Sequence, residues 1–103
     1  MGAVGSVIII SMSDELQPTY IDVREPSEFA AGHVEGAINI PVGEIAQGVA
    51  MLSAIGKDCK IVVYCRSGIR AENAQKQLVE LGYRDVTNGI NQETISKNKL
   101  LNK

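Results

Sequence analysis

The chain has 103 residues, 45% of them apolar and 21% charged, with a formal net charge of −2 at pH 7. That length fits one domain built on a single core, and the composition is that of an ordinary globular protein. The slightly acidic balance, with no basic stripe anywhere, argues against a nucleic-acid surface.

Val7-Ile8-Ile9-Ile10 reads as a first strand. It is too short to span a bilayer, and no lysine or arginine precedes it, so it lacks the charged start of a secretory leader. The expectation is a cytoplasmic protein without membrane contact; a periplasmic chain whose leader has been removed is the alternative. Met1-Gly2 with Ser6 meets the loose myristoylation pattern, which short sequences also meet by chance. Ser13 to Leu16 reads as a brief helical turn, and Thr19 to Val23 as a second strand leading into Asp22-Val23-Arg24. Pro26 suits the first position of a helix that continues through Glu28, Phe29 and Ala30. Gly32-His33-Val34-Glu35-Gly36 is a turn bounded by glycines, and Ala37 to Ile40 a short strand stopped by Pro41.

Ile45, Val49 and Leu52 recur at helical spacing and share a face with Ala46 and Ala50, which predicts one helix closed by Gly56. Lys60 to Tyr64 is an apolar strand. From Gly68 to Leu81, the positions Ala71, Ala74, Leu78 and Leu81 mark one helix face, closed by Gly82. Tyr83 to Thr87 reads as a last strand, and the polar remainder from Asn88 to Lys103 has room for one short helix. Strands alternating with helices predict an α/β fold, a central and mostly parallel sheet of about five strands with helices on both faces. In such sheets ligands gather beyond the carboxyl ends of the strands.

Cys65 sits at one of those ends, in the run Cys65-Arg66-Ser67-Gly68-Ile69-Arg70. A strand that gives way to a helix through a glycine-containing turn leaves several backbone N–H groups without carbonyl partners, and together with the positive helix end these stabilise an anion. A thiol there ionises below the roughly 8.5 of free cysteine, and the thiolate is the nucleophile. The plainer reading of Cys65, a small hydrophobe buried in a strand, requires none of Gly68, Arg70 and a helix start. Arg70, in the first helical turn, opposes the dipole unless an anion lies nearby; Arg66 by itself also fits a solvated surface charge. Cys59 lies at the other end of the same strand, roughly 20 Å away if extended, too far for a disulfide. With two cysteines and the single His33, a closed zinc site lacks ligands.

Three segments in order resemble the single-domain rhodanese family of sulfurtransferases. Tyr20-Ile21-Asp22-Val23-Arg24-Glu25-Pro26, continued by Glu28 through Pro41, is similar to the family's first signature. Tyr64 through Ala71 resembles its active-site loop, and Leu81-Gly82-Tyr83 its following helix end; together they cover roughly Thr19 to Gly89. After Val86 the family commonly shows paired glycines and an aromatic residue, where this chain has Asn88-Gly89-Ile90-Asn91 and no tryptophan at all.

The resemblance implies sulfur transfer through a persulfide on Cys65. A small donor such as thiosulfate supplies the sulfur, and cyanide, a thiol or a protein acceptor removes it, with no metal or organic cofactor; separately, a small domain with no evident apolar patch in its surface pattern is expected to be a monomer. The resemblance also implies that the amides of the loop, from Arg66 through Ser67, Gly68 and Ile69 to Arg70, hold the charged sulfur, with Arg70 and Arg66 attracting the donor dianion. Asp22 and Arg24 read as supports of the loop, pairing with each other or with Glu28. His33 reads as a structural hydrogen-bonding residue before a general base, and Tyr64 as a packing residue before a proton donor. Two rivals remain. A cysteine phosphatase or arsenate reductase resembles cysteine, five residues, then arginine, whereas only Arg66, Ser67, Gly68 and Ile69 separate Cys65 from Arg70, a smaller cradle than a tetrahedral oxyanion asks for. The other is a binding module or persulfide carrier serving a protein partner.

Overall fold

The computed structural model describes residues 18–47 and 50–101. The strand expected at Val7 to Ile10, the helical turn at Ser13 to Leu16 and Val49 lie outside these residues. In chain order the elements are β1 (Thr19–Asp22), α1 (Pro26–Ala31), β2 (Ile38–Asn39), α2 (Val42–Ile45), α3 (Ala50–Ser53), β3 (Lys60–Tyr64), α4 (Ile69–Glu80), β4 (Asp85–Ile90) and α5 (Gln92–Leu101).

Among the described residues, four strands form one sheet in the order β2-β1-β3-β4, all pairings parallel. The side-chain period of two sorts the strands onto two faces. Ile21, Val23, Ile61, Val63 and Cys65 point to one side, where they pack with Ile45 of α2, Leu52 of α3 and Ala71, Ala74 and Leu78 of α4. Tyr64, with Tyr20 and Val62 beside it, faces the other way and meets Val34 and Ile95 of α5. Helices therefore cover both faces, as a buried parallel sheet requires.

The single helix expected around Ile45 and Leu52 is two short ones, α2 and α3. Its two anchors nevertheless share the same core cluster. α4 follows its predicted face except at Leu81, which is 40% exposed because the helix ends at Glu80. The last strand begins and ends later than the apolar pattern suggested. Tyr83 is buried outside the sheet, its hydroxyl donating to the Leu52 carbonyl at 2.5 Å, and β4 runs on to Ile90.

That extension depends on a bulge. Val63 pairs with Asn88 but Tyr64 with Ile90, so Gly89 is an extra residue in the strand, and bulges sharpen the local bend. Only glycine fits there: a Cβ would stand 2.7 Å from Val62 Cγ1 and 3.0 Å from Ile95 Cδ1. Among the described residues, no helix is long and apolar enough to cross a membrane.

Candidate active site

β3 ends at Tyr64, so Cys65 leaves the sheet at its carboxyl edge and the chain turns at once into α4. Cys65 is 2% exposed and joins the core cluster, yet its sulfur faces a polar cradle. Its own N–H donates to the Ile90 carbonyl at 3.0 Å. Gly68, held at φ 94°, a left-handed value that favours glycine, turns its N–H onto Cys65 Sγ at 3.0 Å. Burial pushes the thiol up, but hydrogen bonding from the backbone N–H groups of Ala71, Gly68, Ser67 and Arg70 outweighs it and holds Cys65 below the usual thiol range. Such a loop can carry a sulfur anion without a charged side chain in contact.

The arginines divide. Arg66 is exposed and makes no ion pair with a described residue. Arg70 reaches back to α1, donating to Glu28 Oε1 at 2.8 Å and Oε2 at 3.2 Å. The anion that answers the cation at the start of α4 is thus built into the fold. Arg70 holds the Glu28 carboxyl down at about 2, helped by the N–H of Glu25. Ser67 is exposed, and Ile69 shows 73% of its surface.

Asp22 and Arg24 pair with each other. Arg24 Nη2 lies 2.6 Å and Nε 2.9 Å from the two Asp22 carboxylate oxygens, and Nη2 also donates to the Gly32 carbonyl at 2.7 Å. The bond to Asp22 keeps the Arg24 guanidinium above its ordinary range. Asn39 ties this corner to β2 by donating to the carbonyls of Asp22 and Arg24, each at 3.0 Å. Tyr64 is fully buried; its hydroxyl accepts the Val34 N–H at 3.0 Å, and burial pushes it up to about 12. His33 is exposed, donates from Nδ1 to the Phe29 carbonyl at 2.8 Å and stacks on the Phe29 ring at 3.7 Å. Asp22, Arg24 and His33 are thus held by bonds of their own, and none of the hydrogen bonds on Cys65 Sγ comes from them. Cys59 is exposed and free.

Sequence reasoning assigned no role to the corner after Gly89, and the structure does. Asn88 Nδ2 donates to the Gly68 carbonyl at 3.1 Å and Asn91 Nδ2 to the Arg66 carbonyl at 3.3 Å. Ile90 adopts φ 72°, rare for a β-branched residue, and stays 41% exposed. The available signal is the pair Asn88 and Asn91 around Gly89 at the end of β4, residues whose side chains readily bond to nearby backbone. Among the described residues, no three His, Cys, Asp or Glu side chains cluster to hold a metal ion.

Comparison with known proteins agrees with this geometry. The sequence pattern of the Rhodanese-like domain matches residues 9–91. The Escherichia coli thiosulfate sulfurtransferase PspE is 33% identical over 87 residues, 84% of this chain and 83% of that protein. A Schizosaccharomyces pombe mitochondrial protein named as a putative thiosulfate sulfurtransferase is 38% identical over 78 residues, and the match spans 66% of this chain but 55% of that protein. A solved structure of an E. coli rhodanese with anions superposes at a TM-score of 0.69 with 35% identity, covering 78% of this chain and 93% of the other. The chain belongs to the rhodanese-like domain family.

Proposed function

We propose that the protein is a sulfurtransferase that carries sulfane sulfur on Cys65, with thiosulfate as a competent donor and cyanide or a thiol as acceptor. The observation that carries this reading is the cradle of N–H groups turned onto Cys65 Sγ, with Gly68 at 3.0 Å. In the first half-reaction the Cys65 thiolate attacks the outer sulfur of thiosulfate. The bond between the two donor sulfurs breaks, its electron pair leaves with sulfite, and a Cys65 persulfide anion remains. In the second, a thiolate or cyanide attacks that outer sulfur and the electron pair returns to Cys65. The amides serve both states, because each places a sulfur anion in the loop, on Sγ in the thiolate and one S–S bond, about 2 Å, farther out in the persulfide. Neither half-reaction moves a proton once the thiol is ionised, so the mechanism asks nothing of His33 or Tyr64.

The same geometry speaks against an oxyanion hydrolase. Such enzymes need a guanidinium turned onto the substrate's oxygens, and Arg70 is committed to Glu28. A protein thiol is the second acceptor considered: Ile69 and Ile90 are exposed by 73% and 41%, and they flank Gly68 in sequence and in space, leaving apolar surface beside the sulfur.

Treatment with thiosulfate followed by intact mass spectrometry tests the proposal. The expected result is one added sulfur atom, removed by cyanide and absent from Cys65→Ser. A wild-type chain that gains no sulfur, or a Cys65→Ser chain that gains as much, refutes it.

A further inference from the structure

Asn91 holds two elements at once. Its Oδ1 accepts the Thr94 N–H at 2.8 Å, which makes it the N-cap of α5. Thr94 N–H can only donate, so the amide's orientation is fixed and its Nδ2 must face the Arg66 carbonyl, at 3.3 Å. No other common cap has an acceptor for the helix and a separate donor long enough to span to a second chain segment.

The carbonyl it holds is half of a peptide unit. In a planar trans peptide, C=O and N–H point in opposite directions, and the unit that carries the Arg66 carbonyl also carries the Ser67 N–H. Drawing the carbonyl toward α5 turns that N–H the other way, toward Cys65. The Ser67 N–H is one of the groups that favour the ionised thiol. Around this contact the corner makes two more: Ile90 O accepts the Cys65 N–H at 3.0 Å, and Asn88 donates to the Gly68 carbonyl at 3.1 Å. Asn88 Oδ1 in turn accepts the Ile90 N–H at 2.9 Å. The left-handed Ile90 at φ 72° is what lets the backbone fold back over the loop, and strain of this kind persists only where surroundings hold it.

We propose that Asn91 is a positioning residue for the sulfur site, joining the cap of α5 to the peptide that aims the Ser67 N–H at Cys65. It touches neither sulfur nor substrate and acts through the orientation of one peptide plane. The inference rests on the reading of Cys65 as the nucleophile.

The test separates the two jobs of the side chain. Serine caps helices as well as asparagine does, but is too short to reach the Arg66 carbonyl; alanine does neither. Asn91→Ser also leaves the surrounding charges in place: Asp22 at the end of β1 and Arg24 after it, Glu28 of α1, Arg66 and Arg70 of the loop, and Glu93 of α5. Each variant is made in a Cys59→Ser background, since Cys59 is exposed and would be alkylated too. The pH dependence of Cys65 alkylation by iodoacetamide and the thermal midpoint are then measured.

In Asn91→Ser the pH midpoint of alkylation is expected to rise by about half a unit or more, a roughly threefold loss of thiolate below the midpoint, with the thermal midpoint unchanged. Asn91→Ala is expected to show the same rise and a lower thermal midpoint. If Asn91→Ser titrates as the parent does, whether or not Asn91→Ala shifts, Asn91 acts only as a cap and the proposal fails. The readout is ionisation and not turnover. A parent that transfers no sulfur would thus defeat the functional reading and leave this measurement intact.

Discussion

Arg70 and Glu28, 42 residues apart in sequence, hold each other through two hydrogen bonds of 2.8 and 3.2 Å, and Glu28 Oε1 also accepts the Glu25 N–H at 3.0 Å. One carboxylate thus closes the start of α1 and neutralises the cation placed against the positive end of α4, where an arginine alone is unfavourable. An arginine in the first turn of α4 calls for an anion, and the fold fills that need from within, whereas Arg66 makes no ion pair with a described residue.

Removing that carboxylate has a pH signature. Glu28 titrates at about 2 in the folded chain, lowered first by Arg70, against roughly 4.3 for an unperturbed glutamate. A depressed folded value means that the contribution is fully present above the unfolded value and disappears as pH falls through the folded one. Glu28→Gln should therefore lower the urea midpoint near neutral pH, and the gap from the parent should close between about pH 4.5 and 2. The effect should be small, because both side chains are partly exposed and screened by solvent. A gap that stays constant down to pH 2 would mean the pair does not carry the shift.

Arg24 presents the opposite case, a pair out of reach of water. Its side chain is 8% exposed and that of Asp22 is 0% exposed. Arg24→Met leaves the Asp22 carboxylate buried without the guanidinium, held by the Arg24 backbone N–H on Oδ1 and the Tyr64 hydroxyl, and breaking such a pair costs about 3–5 kcal/mol. Changing both, Asp22→Asn with Arg24→Met, should recover part of the loss, since no buried charge then remains. Urea denaturation of the two single variants and the double gives the coupling. An Arg24→Met loss under about 1 kcal/mol, the scale of an exposed pair, would contradict the buried assignment.

How much of this was legible varies with the range of the interaction. β3 can be read to the residue, because an apolar run between Lys60 and the Cys65 turn has only one way to sit in a two-sided core. α4 is equally plain from Ala71, Ala74 and Leu78. The cysteine loop follows from local backbone logic, since Gly68 and the helix start alone produce unpaired amides. What local pattern cannot give is partnership across the chain. Glu28 with Arg70, Asn91 with Arg66 and Asn88 with Gly68 depend on how far the strands run before they turn. The end of β4 is not legible in the sequence, because Asn88 and Gly89 have the residue types of a turn while the glycine is a bulge inside the strand.

That bulge makes Gly89 the most restrictive glycine near the site. Gly89→Ala drives a methyl to 2.7 Å from Val62 Cγ1 and 3.0 Å from both Ile95 Cδ1 and Cγ1. Overpacking of this kind costs about 1–3 kcal/mol. Relief by moving β4 outward would also carry the Ile90 carbonyl away from the Cys65 N–H, so slower alkylation of Cys65 is expected along with lower stability. Gly43→Ala, whose added Cβ meets nothing within 4 Å, is the control and should cost nothing measurable. Equal urea midpoints for the two alanine variants would show that the sheet absorbs the methyl.

Two opposing effects meet at Cys65, and a single titration decides between them. Burial raises the thiol's pKa, while the amides of Ala71, Gly68, Ser67 and Arg70 lower it, and the net direction is down. The pH midpoint for alkylation of Cys65 in the native chain should then fall below about 8.5, the value of a free thiol. Linkage has the same sign: with the folded value below the unfolded one, the thiolate's contribution to stability is complete above about pH 8.5 and is lost as pH drops through the folded value. The urea midpoint of the parent relative to Cys65→Ser should accordingly rise toward alkaline pH and level off there. A midpoint at or above that of a free thiol, with a stability difference that shrinks as pH rises, would mean that desolvation wins and that Cys65 is a core residue and no nucleophile.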